Sequence, residues 1–535
     1  MGRSIRMPRF LGGAALTLWV MGCSATNGGE LGEERDVELE SAALALRGED
    51  RLAACEQDPR VLSGLVSREV CAGAAIFFEE TFEGNGRTCG SCHPAANNTT
   101  LDVAFIEELH QANPRDPLFV SEFVPELSEL ETSDLRDDAA ILENVDGFGF
   151  SDRFVSRGVN HVLSLSTSLA RDPGDPNTTN PPAERTGWAG DGSPDGTLRG
   201  FLRGAIEQHF PKTLDRVAGS DFRLPEPLEE ELVESFQLSL GRRNELDLQQ
   251  VRLTDEQAES GRQLFLDDVN GRCNVCHTNA GANFKGSRLN RNFDTNTRSG
   301  NSSVTRPPLG EFTVLLDAGF GGRDLPESNF PDGNGGFNGF GNGSFNPPPL
   351  IEAADTAPFF HNNLRTVGSF PDNISGAVLF YTLLGSFLSS PAAQELDETL
   401  GPLDLDGGEA ANLARFLRVL NAALNIDIAR QRASAVAVLL DSPAEDAAIQ
   451  ATLLGLARNE VDDALDVLIE GNRETAPNPI ALDHLEVVRS ELTRAIDVPA
   501  ERAARTATAL DELGAARGDL GTNIDFVLGA GNLMF

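Results

Sequence analysis

The residues of this chain best suited to chemistry are Cys89-Gly90-Ser91-Cys92-His93 and Cys273-Asn274-Val275-Cys276-His277. Both read C-x-x-C-H. Two thiols separated by two residues can form thioethers to the two vinyl groups of one haem, and the next histidine reaches the iron from the same side. A lone C-x-x-C fits a redox dithiol or half a zinc knuckle equally well. Two copies with the trailing histidine point instead to two covalent c-type haems, with His93 and His277 as proximal ligands. Two structural zinc sites would need extra Cys/His pairs to close each tetrahedron. The chemistry of the pattern is the handling of electrons.

The opposite face of each iron separates electron transfer from peroxide or oxygen chemistry. The methionines are Met1, Met7, Met21 and Met534: three fall in the N-terminal leader and the fourth is the penultimate residue. Counting therefore disfavours a Met-ligated haem. His110, His161, His209, His361, His484 and the single tyrosine, Tyr381, remain as candidates, beside an open site. His484 lies in a helical tail and reads as a packed or surface histidine. His110 falls on a helical run, Ile106 to His110, after the first motif.

The N-terminus carries Arg3, Arg6 and Arg9 before an apolar run from Phe10 to Val20, too short to span a bilayer and suited to a signal peptide. Val20-Met21-Gly22-Cys23 resembles a bacterial lipobox, which makes residues 1–22 a lipoprotein signal peptide and Cys23 the lipid-bearing mature N-terminus. The expected location is outside the cytoplasm, lipid-anchored to a bacterial membrane and facing the periplasm or exterior. Cys55 and Cys71 remain, either as a disulfide or as separate buried thiols. The formal charge of −39 disfavours nucleic acid and would attract a small basic redox partner such as a soluble cytochrome or cupredoxin, although solubility accounts for it equally.

The elements that must position these groups read as mainly α, with two cytochrome c-like haem domains in tandem and a C-terminal helical extension. Residues 23–60 are a polar tether, 61–250 the first haem domain, 251–430 the second, and 431–535 the extension, in which no chemistry is legible. Gly73-x-x-x-Phe77 and Gly261-x-x-x-Phe265 each precede a haem motif on an expected helix, the second with a capping box at Thr254-x-x-Gln257. Leu198, Phe201, Leu202, Ala205, Ile206 and His209 share one face of a helix that Pro211 stops. Residues 318–349, rich in Gly, Asn, Phe and Pro, read as a long loop.

The order of motifs resembles the bacterial di-haem cytochrome c peroxidases and MauG-type proteins, over roughly residues 60–425. The doubled Gly-x-x-x-Phe to C-x-x-C-H unit carries the likeness, with Trp188-Ala189-Gly190-Asp191-Gly192, Thr356-Ala357-Pro358-Phe359-Phe360-His361 and Ala377-Val378-Leu379-Phe380-Tyr381. The resemblance implies that Trp188 lies between the haems and carries electrons. It makes Tyr381, at a position that is methionine in the peroxidases and tyrosine in MauG-type members, the distal ligand of the second haem, with His361 nearby or as the rival ligand.

At the first haem, Phe201 takes the place of the peroxidase glutamine, and the glutamate position falls at or near Pro211. His209, or Glu207, is the substitute acid/base group. Arg157-Gly158-Val159-Asn160-His161 matches an Arg-Asn-x-Pro turn, so His161 would ligate or line this haem. Gly158 replaces a calcium-binding side chain, which speaks against an inter-haem calcium. The expected function is peroxide or oxygen activation at the first haem and electron storage at the second. An apolar-substrate dioxygenase of the rubber-oxygenase type, or a non-catalytic electron-transfer lipoprotein, stands as alternative.

Overall fold

The computed structural model describes residues 47–143, 153–168, 198–282, short strands between 293 and 345, then 347–361, 363, 374–382, 403–442, 446–470 and 472–535. The leader, Cys23, Trp188 and much of 318–349 lie outside the described residues. The fold is mainly α. α1 (Gly48–Cys55) and α2 (Pro59–Leu62) come first, then α3 (Arg68–Glu79), and the first motif forms the one-turn α4 (Cys89–Cys92). α5 (Val103–Ala112), α6 (Pro125–Asp138), α7 (Leu165–Ser168), α8 (Leu198–His209) and α9 (Pro227–Gln237) follow. The second motif lies between α10 (Glu256–Leu266) and α12 (Ile374–Thr382) and forms the one-turn α11 (Cys273–Cys276). α13 (Gly407–Leu440), α14 (Ala447–Ile469), α15 (Pro479–Asp497) and α16 (Arg502–Leu520) close the chain. Among the described residues no helix is long and apolar enough to cross a membrane.

The duplication visible in the sequence is a duplicated helix pair. α3 packs across α9, and α10 packs across α13. At the first crossing a Cβ on Gly73 would stand 2.0 Å from the Leu232 carbonyl oxygen, and at the second a Cβ on Gly261 would stand 1.9 Å from that of Asn412. Only glycine lets two helix backbones approach so closely. One turn further on, Phe77 meets Phe236 with ring centroids 5.3 Å apart, and Phe265 meets Phe416 at 5.4 Å. Leu232/Phe236 and Asn412/Phe416 share an i, i+4 spacing, so each Gly-x-x-x-Phe segment is read by one face of its partner helix. Phe77 and Phe265 are buried, worth about 2–3 kcal/mol each.

Several sequence expectations need correction. The polar tether does not reach residue 60, because α1 begins at Gly48 and a disulfide joins Cys55 to Cys71, linking α1 to α3. α10 is capped by Asp255, not Thr254: the Asp255 carboxylate accepts the Ala258 N–H at 2.8 Å and pairs with Arg415 of α13 at 2.6 Å. The boundary proposed at 430 falls inside α13, which runs unbroken from Gly407 to Leu440. Within 318–349, Ser328–Pro331 and Phe337–Phe340 pair as antiparallel strands, in keeping with the strand preference of aromatic residues.

The C-terminal helices are not an appendage. Residues 47–535 form one unit whose main core runs from α1 to the last residues, with a smaller separate cluster around Leu101, Ile106 and Leu118. The last residues return to the first motif's half: Asn532 accepts the Gly241 N–H at 2.7 Å, and the Leu533 carbonyl accepts from Arg60 at 2.9 Å. The Phe535 ring lies 5.6 Å from that of Phe78, with the Arg432 guanidinium 5.3 Å from its centroid.

Candidate functional site

The first site is built on α4. One helical turn brings Cys89 and Cys92, three apart, to the same face. His93 then leaves helical geometry at φ −116°, ψ 62°. Its Nδ1 lies 2.8 Å from the Thr99 carbonyl oxygen, which can only accept, so Nδ1 carries the proton and Nε2 is left as the coordinating nitrogen. Apolar surroundings hold the His93 pKa below its ordinary value. Both thiols are pushed up by desolvation, Cys89 to about 12 and Cys92 to about 11. A catalytic dithiol needs the opposite shift.

A cavity of about 150 Å³ opens over this turn, with Cys89, Cys92 and His93 in its wall. The 198–209 periodicity holds: α8 presents Leu198, Phe201, Leu202, Ala205, Ile206 and His209 to this cavity. The Asn85 side chain donates to the His209 carbonyl oxygen at 2.9 Å and to that of Pro211 at 3.1 Å, pinning the end of α8.

The second site repeats the arrangement on α11. His277 Nδ1 donates to the Pro348 carbonyl oxygen at 2.7 Å, and desolvation lowers its pKa to about 4. Desolvation pushes the Cys273 thiol up to about 12. The cavity here, about 240 Å³, is lined by Cys273, Cys276 and His277 together with His361 and Tyr381. Phe360 packs 4.8 Å from Phe380 and 6.1 Å from Tyr381, so the 356–361 turn and α12 approach the cavity as one piece. Burial pushes the Tyr381 phenol well above its ordinary pKa.

No known family model, curated protein or solved structure matches this chain.

Both sites therefore rest on their own geometry. Among the described residues no three His, Cys, Asp or Glu side chains gather as a metal-ion cluster. Val159, Asn160 and His161 line both cavities. Gly158 is the close-approach point beside them: a Cβ there would stand 2.1 Å from Asn363 Oδ1, whose amide donates to the Asp138 and Ala139 carbonyl oxygens at 3.0 and 2.9 Å. The space left by a missing side chain at Gly158 is thus filled by another amide.

Phe201 and His209 meet at the first cavity, and His361 and Tyr381 at the second, while His161 borders both. Trp188 lies outside the described residues. Burial, reinforced by Arg87, pushes His209 down to about 3, which keeps it neutral near pH 7 and ill-matched to proton transfer there. Glu207 does not line the cavity, and its described wall contains no carboxylate. His110 packs edge-on to Phe119, 5.0 Å between centroids, and His484 pairs with Glu512 at 2.5 Å; both stand away from the cavities. Met534 is buried in the core and lines neither cavity. Gln237, which sequence reasoning missed, lines the first cavity with Oε1 buried and unpartnered among the described residues. Its position at the end of α9 carries no motif that would single it out.

Proposed function

We propose that this chain is an exported, lipid-anchored di-haem c-type oxidoreductase resembling the bacterial di-haem cytochrome c peroxidases and MauG-type proteins. One observation carries the proposal: each C-x-x-C-H motif lines a cavity with both sulfurs and a histidine whose Nδ1 is tied to a backbone carbonyl. That donor set fits a cofactor held by two thioethers and one imidazole nitrogen. Haem bound there supplies a redox-active iron for one-electron transfer and for activating peroxide or dioxygen. Cys89, Cys92 and His93 hold the first, and Cys273, Cys276 and His277 the second. The Thr99 and Pro348 carbonyls orient the two imidazoles. Tyr381 or His361 supplies the distal ligand of the second site, and both line its cavity, whereas no methionine is among the described residues of either wall. Trp188 remains the proposed carrier between the sites. A small basic cytochrome or cupredoxin is the proposed partner of the acidic surface.

The first cavity is proposed as the reacting one. Its apolar α8 face and carboxylate-free described wall favour a second activity at the same place: dioxygen chemistry on an apolar substrate. Mass spectrometry of the mature protein tests the common foundation. Two haem additions are expected, and fewer than two end the proposal. Optical spectra after separate addition of peroxide and dioxygen then choose the activity, and two inert low-spin haems would leave an electron-transfer protein.

A further inference from the structure

We infer that segment 158–164 couples the two sites, and that His161, packed between them, is a positioning residue that sets how fast electrons pass by the proposed carrier. The inference rests on the di-haem proposal. Among the described residues, Val159, Asn160 and His161 alone line both cavities, and His161 is 7% exposed, packed in the wall between them.

The hydrogen bonds of this segment go to the loops that orient the two proximal histidines. On the first side, the Thr99 carbonyl accepts from His93 at 2.8 Å while Thr99 Oγ1 accepts the Val162 N–H at 3.0 Å. The Thr100 hydroxyl donates to the Val159 carbonyl oxygen at 2.5 Å. On the second side, the Gly158 N–H donates to the His361 carbonyl oxygen at 2.8 Å. The Ser164 hydroxyl donates to Glu352 Oε1 at 2.6 Å, four residues beyond the Pro348 carbonyl that orients His277. Arg242 holds the same Glu352 oxygen at 2.8 Å, both side chains fully buried. A covalent and hydrogen-bonded path therefore runs from the His93 ring through the backbone of residues 162 to 158 to the His361 carbonyl oxygen, and the buried His161 side chain projects from the middle of it. A shift in either orienting loop is felt by the same segment.

With one haem held by Cys89, Cys92 and His93 and the other by Cys273, Cys276 and His277, the coupled event would be a one-electron transfer between the two sites, with no bond formed or broken and no proton moved. A chemical reductant such as dithionite supplies that electron in the test. The full-length holoprotein and its His161→Leu and His161→Gln variants are each mixed rapidly with half an equivalent of reductant per haem pair, and electron redistribution between the haems is timed optically. All three are expected to carry two covalent haems by mass and to keep their ligand signatures. His161→Leu should slow redistribution roughly tenfold, with His161→Gln in between. Equal rates in all three proteins would overturn the inference. Loss of one haem's ligand signature would overturn it too, by making His161 an iron ligand. Fewer than two haem additions in the wild type would instead show that the di-haem foundation had failed.

Discussion

Gly261 and Asn412 are in backbone contact, with room for a hydrogen but not a methyl between them: an added Cβ would stand 1.9 Å from the Asn412 carbonyl oxygen. Gly73 holds the same relation to Leu232. Alanine in a helix interior is worth about 1 kcal/mol over glycine, but here each helix would have to separate from its partner. Gly73→Ala and Gly261→Ala should each destabilise the fold by about 3 kcal/mol. Gly455→Ala in α14 has nothing within 4 Å of the new Cβ and should stabilise by about 0.5–1 kcal/mol. Denaturant midpoints check all three. Loss of stability at Gly455 comparable to that at Gly261 would show that the close approach is not the cause.

The Arg242–Glu352 pair carries no exposed surface, so removing one partner strands a charge in the interior. Glu352→Ala should cost about 3–5 kcal/mol. Ser164→Ala removes one hydrogen bond to the same carboxylate and should cost about 1 kcal/mol. Because Ser164 and Glu352 tie segment 158–164 to the loop carrying Pro348, a cost at Ser164 equal to that at Glu352 would shift the weight from the buried charge to the hydroxyl.

Glu460 of α14 pairs with Arg432 at 2.6 Å, yet burial pushes its pKa up to about 7. An acid whose folded pKa lies above its unfolded one binds more protons when folded between the two values. Its contribution to stability therefore falls as pH rises from about 4.5 through 7. Relative to Glu460→Gln, the wild type should lose stability over that window, on the order of a few kcal/mol. Thermal midpoints of the two proteins at pH 5, 6, 7 and 8 make the comparison, and parallel curves would refute it.

The α8 stripe and the doubled Gly-x-x-x-Phe unit were legible because periodicity and a small residue at a close approach are written in side chains. The groups that orient the histidines were not, because the Thr99 and Pro348 carbonyls are backbone atoms that any residue would supply. The Cys55–Cys71 bond and the return of Asn532 to Gly241 depend on long-range folding, and a spacing of 16 or 291 residues does not encode contact. α13 hid the boundary at 430 for a related reason: one helix serves both the second motif, through Asn412 and Phe416, and the C-terminal helices, through Arg418 and Arg432, and helix propensity does not change along it. Gln237 escaped because it ends an ordinary amphipathic helix.

Tyr381 and His361 line the same cavity, and the choice between them as distal ligand has a sharp experimental form. Phe360 packs against both Phe380 and Tyr381, so Tyr381→Phe removes an oxygen while leaving the ring's packing in place. If the phenolic oxygen holds iron, one haem's spectrum should change, the other's should not, and the covalent haem count should stay at two. Phenolate ligation stabilises ferric iron, so the potential of the changed haem should rise in the variant. If the spectrum is untouched, Tyr381 leaves the iron, and His361→Ala should produce the change instead. If neither variant alters either spectrum, the second site is open on that face, and both haems would then have to be considered for peroxide or dioxygen binding.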